Sequence, residues 1–217
     1  MRLREVTVGS RSSASEHYRG RRWHMLLNKF PDLSSMVVID LGGVAWNWQQ
    51  APVRPALVHI INLEEPPEGL PPWIRAEKGN ACDLPARILS SRYDLAFSNS
   101  VIEHVGGHEA RQRLADAVHA LAPRYWVQTP YRYFPLEPHW LFPGMQFLPI
   151  PAKAQIARSW PLAPARGVSR EQAIRDVMGT ELIGRSQMRA YFPDAQILTE
   201  KAAGLVKSLI SVRDRGR

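Results

Sequence analysis

The sequence predicts an α/β protein built on a doubly wound, mostly parallel sheet. Two observations support this prediction. Continuous apolar runs, which are typical of strands buried on both faces, alternate with a segment of helical periodicity. Near the C-terminus, two further runs are joined only by Ala202-Ala203-Gly204, a connection too short for parallel neighbours. The sheet is therefore expected to be mixed, with an antiparallel C-terminal hairpin.

Four runs rich in apolar or β-branched residues predict the parallel strands, at 36–41, 57–61, 93–97 and 125–129. Between the last two runs, residues 108–121 repeat apolar side chains at helical spacing and predict a helix. A short helix is expected at 187–192, ending before Pro193, and the hairpin strands at 196–200 and 205–212. Strands that alternate with helices imply right-handed crossovers.

Length and composition fit one domain spanning residues 1–217. Hydrophobic residues make up 45% of the 217, enough for a full-sized core. No apolar run reaches the roughly 18 residues of a membrane span, and the charged N-terminus lacks the apolar core of a secretory signal. Cys82 is the single cysteine, so neither an intrachain disulfide nor a cysteine zinc site is expected. A cytoplasmic location and no membrane span are the resulting expectations.

The formal net charge is +8, with a pI near 10.1. Such a balance favours anionic partners, including nucleic acid and acidic lipid. The basic residues are dispersed, however, apart from short clusters such as the one at 19–22, and no RNA-binding motif is present. A nucleic-acid partner is therefore not favoured, and a homo-oligomer is left open.

Residues 130–164 contain eight of the 18 prolines and many aromatic side chains. Prolines remove amide donors and interrupt regular elements, and long loops in compact domains are commonly lids. We interpret residues 130–165 as a Pro- and aromatic-rich lid insertion over the substrate, irregular except for a short helix near 152–159. The aromatic residues there could stack on a sugar or planar ring, or pack the lid itself. Residues 1–35 are interpreted as an N-terminal helical segment.

Five sequence features occur in a fixed order along the chain. They are Val-Ile-Asp-Leu-Gly-Gly (38–43), the polar end of the second strand (62–64), Asn-Ala-Cys-Asp-Leu-Pro (80–85), the segment from Tyr-Asp-Leu (93–95) to Asn-Ser-Val-Ile-Glu-His (99–104), and the C-terminal hairpin. In this order they resemble class I S-adenosylmethionine-dependent methyltransferases, specifically the small type 11 group. The resemblance implies a Rossmann-like, seven-stranded sheet and S-adenosylmethionine (SAM) as the cofactor.

The resemblance also implies cofactor-binding residues, and these are Asp40, Gly42, Gly43, Asn62, Glu64, Asp83, Asn99 and Ser100. Glycines after the first strand let the backbone approach a nucleotide closely. A carboxylate after the second strand binds the ribose in this family; the aligned residue is Asn62, and Glu64 is the alternative ligand. Asp83 corresponds to the adenine-binding aspartate. The alternatives are plain turn roles for Asp40 and its glycines and a capping role for Asp83.

His104, Glu137 and His139 are the candidate catalytic residues. A histidine near its ordinary pKa can accept a proton from an attacking hydroxyl. His139 follows the strand 125–129, where the acceptor is expected, although a packing role in the loop is equally open. Glu137 and His139, with Glu103 or His104, could instead hold a magnesium ion, and a site without metal is the alternative.

The loop Thr-Pro-x-Arg-x-x-Pro-x-Glu-Pro-His (129–139) resembles that of enzymes tied to carbohydrate or glycolipid assembly. The resemblance implies O-methylation of a saccharide or other small polar acceptor, as in polysaccharide biosynthesis. The tetrapeptide 99–102 lacks the prolines typical of enzymes that methylate amide or adenine nitrogens. Two alternatives are kept: an RNA methyltransferase, which the positive charge favours, and a non-catalytic partner protein that retains the fold.

Overall fold

The computed structural model describes residues 13–164 and 166–214. The strands are β1 (Val37–Leu41), β2 (Leu57–Asn62), β3 (Ile74–Lys78), β4 (Leu95–Asn99), β5 (Tyr125–Pro130), β6 (Leu136–Glu137), β7 (Phe142–Pro143), β8 (Gln196–Ala202) and β9 (Leu205–Arg213). The helices are α1 (Ser13–Lys29), α2 (Ala45–Gln49), α3 (Ala86–Leu89), α4 (His108–Leu121), α5 (Ile150–Ser159), α6 (Arg170–Met178) and α7 (Arg185–Tyr191).

Seven strands form the main sheet, in the order β3-β2-β1-β4-β5-β9-β8. Strands β1 to β5 pair in parallel, whereas β9 runs antiparallel to both β5 and β8. The order reverses between β1 and β4, so the loops after these two strands flank a crevice at the carboxyl edge. The predicted mixed, doubly wound sheet with an antiparallel C-terminal hairpin is confirmed.

The two faces of the sheet bury separate apolar clusters. On β1, Ile39 faces the cluster that includes α4 and α7, whereas Val38 faces the cluster that includes α1 and α2. Both side chains are fully buried. Burial on both faces explains why β1 is apolar at every position except Asp40 rather than alternating between apolar and polar residues.

The element predictions agree closely with the structure, with one strand of the main sheet and the two short strands β6 and β7 missed. Helix α4 has the predicted bounds, and each predicted strand overlaps an observed one. Strand β3 was not predicted because it lies at the edge of the sheet, where only Ile74 of its five residues is buried. An edge strand that covers little apolar surface carries a weak hydrophobic signal.

The segment after β5 is a packed substructure rather than an irregular loop. Its helices α5 and α6 enclose a small core of their own, formed by Trp140, Met145, Ala154, Ala157, Ala163, Ala173 and Val177. The predicted helix near 152–159 is α5, whereas α6 was not predicted. The Ser169 hydroxyl caps α6 by accepting from the Gln172 backbone N–H at 3.1 Å. We call residues 131–164 and 166–183 the lid segment.

Helix α1 and a short 3-10 turn (Leu33–Ser35) account for the described part of the predicted N-terminal helical segment. Residues 1–12 of that prediction, and residue 165 of the predicted lid, lie outside the described residues. Across 13–164 and 166–214, no helix combines the length and apolar character that a bilayer span requires.

Candidate functional site

The carboxyl ends of β1, β2, β4 and β5 meet at one edge of the sheet. Parallel pairing fixes this, because β1 lies between β2 and β4, and β4 lies beside β5. Most of the residues proposed from the sequence follow these four ends. Asp83 is the exception, since it follows β3 at the outer edge.

A tight turn of two glycines follows β1. Gly42 has a φ of +82°, and a Cβ there would lie 2.7 Å from the Val101 side chain. A Cβ on Gly43 would lie 1.6 Å from the carboxylate Oδ2 of Asp40. That oxygen accepts a hydrogen bond from Trp48 Nε1 at 2.7 Å, and Asp40 is only 1% exposed. The turn therefore requires glycine, since side chains already fill the space beside its backbone.

We expect Gly43→Ala to lower the free energy of unfolding by about 1–3 kcal/mol, because the added methyl must displace a buried, hydrogen-bonded carboxylate. Urea unfolding measures the loss. Gly20→Ala is the matched control: a Cβ at Gly20 on α1 meets no atom within 4 Å, so alanine should stabilise the helix by about 0.5–1 kcal/mol. Equal midpoints for Gly43→Ala and the parent would contradict the close approach of Asp40.

Asn62 ties the end of β2 to the glycine turn. Its amide Nδ2 donates to the Gly43 carbonyl at 2.6 Å, and its Oδ1 accepts from the Glu64 backbone N–H at 3.2 Å. Both ends of the side chain are thus engaged in holding the loop. Glu64 is exposed beside it. Of the two residues predicted to bind the ribose, Asn62 therefore uses its side chain to hold the loop, whereas the exposed Glu64 side chain is the better placed to meet a ligand.

The loop after β4 is held from two directions. Ser100, at a φ of +56°, donates from its hydroxyl to Gln128 Oε1 at 2.9 Å on neighbouring β5. Asn99 Oδ1 accepts from Arg22 NH1 at 2.9 Å. Arg22 lies on α1 and also donates through NH2 to Glu200 Oε2 at 3.0 Å. Helix α1 therefore contributes a side chain to this edge. The sequence did not predict this contact, because the basic cluster at 19–22 was considered only as a short cluster of surface charge.

Asp83 lies in a turn after β3. Its backbone N–H donates to the Asn80 carbonyl at 3.0 Å, and the Cys82 N–H donates to Asn80 Oδ1 at 3.0 Å. The buried neighbours Cys82 and Leu84 anchor this turn, whereas the Asp83 side chain is exposed. Asn80, not Asp83, accepts the capping bonds within the turn. The aspartate side chain therefore remains accessible to a ligand.

Glu137 and His139 form a buried pair in the lid segment. His139 Nδ1 lies 2.6 Å from Glu137 Oε1, while Glu137 Oε2 accepts from the backbone N–H groups of His139 and Trp140 at 2.8 and 2.9 Å. Glu137 is 2% exposed. The carboxylate thereby fixes both the turn around Pro138 and the orientation of the imidazole.

His104 packs against His139 from the loop after β4. The two rings are nearly perpendicular, with centroids 4.8 Å apart. His104 Nδ1 lies 3.2 Å from Thr180 Oγ1, and its Nε2 lies 4.0 Å from Glu103 Oε1. Glu103 Oε2 in turn accepts from the hydroxyl of Thr129, which ends the buried part of β5, at 3.0 Å. One ligand atom from each of Glu103, His104 and His139 lies within 4.8 Å of the others. We call these three residues the histidine cluster.

The environment of His139 favours its protonated form. Burial by itself lowers the pKa of His139, but the hydrogen bond with Glu137 and the negative charges of Glu137 and Glu103 outweigh it and raise the pKa. A carboxylate-oriented imidazole of this kind is suited either to proton transfer or to metal binding.

A cavity of about 340 Å³ lies within the lid segment, and its lining includes Glu137 and Thr180, which contact the two histidines. Its polar and charged lining includes Arg132, Glu137, Gln146, Lys153, Thr180 and Glu181. Glu181 pairs with Arg111 at 2.7 Å, and Glu137 is engaged by His139. Among the described residues, no ion pair involves Arg132 or Lys153. The cavity is therefore polar, with two basic and two acidic side chains in its lining.

The aromatic residues of the lid segment divide into two groups. Trp140 is 3% exposed, and Phe142 packs edge-on against Trp160, with centroids 5.1 Å apart, so these residues pack the lid core. Tyr133 and Phe147, by contrast, are 61% and 55% exposed, and their ring centroids lie 6.0 Å apart beside the cavity. Packing of the lid accounts for the first group, and stacking on a sugar or planar ring stays a prediction for the second.

No family model matches the sequence, and no curated protein matches it. Solved structures do match the fold. The N-terminal domain of EvdMO1, crystallised with S-adenosylhomocysteine (SAH) and D-fucose, is 13% identical, with a TM-score of 0.52 over 92% of this chain and 83% of that one. The 1,6-didemethyltoxoflavin-N1-methyltransferase of Burkholderia thailandensis, with 1,6-didemethyltoxoflavin and SAH bound, is 15% identical, with a TM-score of 0.53 over 97% of this chain and 84% of that one.

A third similar structure is the N-methyltransferase NodS from Bradyrhizobium japonicum WM9 in complex with SAH. It is 11% identical, with a TM-score of 0.52 over 90% of this chain and 86% of that one. These likenesses, at 11–15% identity, establish the fold. The chain has the Rossmann-like fold of class I methyltransferases, as the resemblance in its sequence implied.

Proposed function

We propose that this protein is a SAM-dependent methyltransferase that methylates a hydroxyl group of a small polar acceptor, with saccharides as the favoured class. The observation that carries the proposal is the glycine turn after β1, which Asp40, Trp48 and Asn62 hold at the point where the sheet order reverses. Open α/β sheets bind ligands in the crevice at this point. The similar structures named above hold SAH.

The residues at the edge suit the parts of the cofactor. Val101 and Asp40 fill the space that side chains at Gly42 and Gly43 would need, so these two residues would meet a ligand with their backbone alone. Glu64 would accept from the ribose hydroxyls, and Asp83 would accept from the adenine amino group. When bound, SAM supplies an electrophilic methyl group; the protein supplies alignment, exclusion of water and removal of the acceptor proton.

The acceptor is proposed to bind in the cavity of the lid segment. The cavity presents both charged and hydrogen-bonding side chains, and Tyr133 and Phe147 offer exposed rings at its border. Polar groups beside aromatic faces suit a sugar ring, whose C–H face is apolar and whose rim carries hydroxyls. Glu137 and Thr180 connect the cavity wall to His139 and His104. Activation of the acceptor hydroxyl is therefore assigned to these two histidines.

Calorimetric titration with SAH tests the cofactor site. We expect Glu64→Ala to weaken SAH binding by about 1–3 kcal/mol, because a hydrogen bond to a charged acceptor is lost. Glu68→Ala is the matched control, since Glu68 is exposed in the same loop and should leave the affinity unchanged. Absence of SAH binding to the parent protein would overturn the proposal. Equal affinity of the two variants would remove Glu64 from the site.

The acceptor class is tested with SAM carrying a labelled methyl group. Incubation with a panel of monosaccharides and nucleotide sugars should place the label on an oxygen, identified by the chemical shift of the product methyl group. Transfer to nitrogen compounds alone, or to RNA alone, would contradict the saccharide assignment while retaining methyl transfer.

A further inference from the structure

The histidine cluster combines two imidazoles and one carboxylate from two different loops. Glu103 and His104 follow β4, and His139 follows the β6 strand of the lid segment. One ligand atom from each residue lies within 4.8 Å of the others. An ion about 2.1 Å from each ligand needs ligand atoms roughly 3–4 Å apart. Displacements of the ligand atoms by about 1 Å would therefore bring all three within bonding distance of one ion.

Each member of the cluster is oriented by a partner behind it. Glu137 holds Nδ1 of His139 at 2.6 Å, so that Nε2 is the nitrogen presented to an ion. Thr180 lies 3.2 Å from Nδ1 of His104, whose Nε2 faces Glu103. Thr129 donates to Oε2 of Glu103, on the other side of the carboxylate from His104. Protein metal sites characteristically have outer partners of this type, which fix ligand orientation and the histidine tautomer.

The donor set selects a class of ion. Imidazole nitrogens suit first-row transition metals, whereas Mg²⁺ prefers oxygen ligands and retains its water. Two imidazoles and one carboxylate also leave coordination positions open for an exogenous oxygen. Glu137, which the sequence analysis grouped with the ligands, instead lies behind His139 as its orienting partner.

We propose that Glu103, His104 and His139 bind a divalent first-row transition-metal ion that receives the acceptor hydroxyl. Binding of the ion does not depend on the proposed function. The chemical role assigned to the ion does rest on the proposed methyl transfer. The ion lowers the pKa of a coordinated hydroxyl. The hydroxyl proton then passes to water, the oxygen forms a bond to the transferred methyl carbon, and the carbon–sulfur bond breaks with its electron pair left on sulfur.

The test uses the full chain, freed of metal with a chelator and dialysed, and Co²⁺ as the probe. Titration is followed by visible absorption and by calorimetry. We expect saturable binding of one Co²⁺ per chain, with Mg²⁺ binding much more weakly. His104→Gln, which alters a 25% exposed side chain, and Glu103→Gln should each abolish saturable binding. Glu137→Gln should weaken it by about 10–100-fold, the usual effect of altering an outer partner.

His24→Gln is the control for adventitious binding, because His24 is an exposed histidine on α1; its affinity should equal that of the parent. Thermal unfolding confirms that each variant is folded, and SAH is titrated into the same samples. Absence of saturable Co²⁺ binding in protein that binds SAH, or Co²⁺ binding that survives both ligand variants, overturns the metal site and leaves the proposed function intact. Stoichiometric, variant-sensitive Co²⁺ binding without SAH binding supports the metal site and overturns the proposed function.

Discussion

His139→Ala is expected to lower methyl-transfer turnover by about 10²–10⁴-fold while leaving SAH affinity nearly unchanged. The imidazole lies beside Glu103 and His104, where the acceptor hydroxyl is to be activated, and the glycine turn that is proposed to hold the cofactor belongs to another loop. Either a base or a metal ligand at this position acts on the chemical step. The measurement is steady-state transfer to the acceptor identified with labelled SAM, alongside SAH calorimetry.

The loss should fall on kcat rather than on KM alone, because an effect confined to KM indicates uniform binding of the acceptor. His139→Gln serves as the second variant, since a polar side chain remains beside the buried Glu137 carboxylate. His24→Ala controls for general effects of removing a histidine. A fully active His139→Ala protein would exclude both roles and leave positioning of the acceptor as the source of rate.

Arg22→Met is expected to destabilise the fold by about 3 kcal/mol, because it removes the hydrogen-bonded cation from a buried carboxylate. Glu200 is 1% exposed, and Arg22 NH2 donates to it at 3.0 Å. The same substitution releases Asn99 Oδ1 and should weaken SAH binding as well. Denaturant unfolding and SAH calorimetry measure the two effects.

Arg21→Met is the matched control, since the exposed Arg21 precedes Arg22 on the same helix. The double variant Arg22→Met with Glu200→Gln should recover part of the lost stability, because the unpaired charge is removed together with its partner. If Arg22→Met unfolds at the same denaturant concentration as Arg21→Met, the contact between Arg22 and Glu200 contributes no measurable stability.

The convergence of the loops at the carboxyl edge could be predicted from sequence, because it depends on strands that carry strong signals. The runs that became β1, β2, β4 and β5 are largely apolar, since both of their faces are covered, and parallel strands bring their carboxyl ends together. Gly42, Asn62 and Ser100 therefore meet as expected. The proximity of Glu137 and His139 could also be predicted from sequence, because only Pro138 separates them.

Partners supplied by distant segments could not be predicted in this way. Arg22 is 77 residues from Asn99, and Thr180 is 76 residues from His104. Neither contact follows from a local pattern; both depend on how α1 and the end of the lid segment pack on the sheet. Helix α6, by contrast, left a readable signal: Ser169 followed by Gln172 is the spacing of a capping box.

The core of the lid segment has a consequence for the entropy of acceptor binding. Trp140, Ala157 and Ala173 pack together in the core of the lid segment, and the backbone N–H of Glu181 donates to the Glu103 carbonyl at 2.8 Å. A segment that is already ordered loses little conformational freedom when a ligand arrives. More of the contact energy with the acceptor is then expressed as affinity. Under the proposed function, discrimination among acceptors then depends on the shape and charge of the cavity in the lid segment.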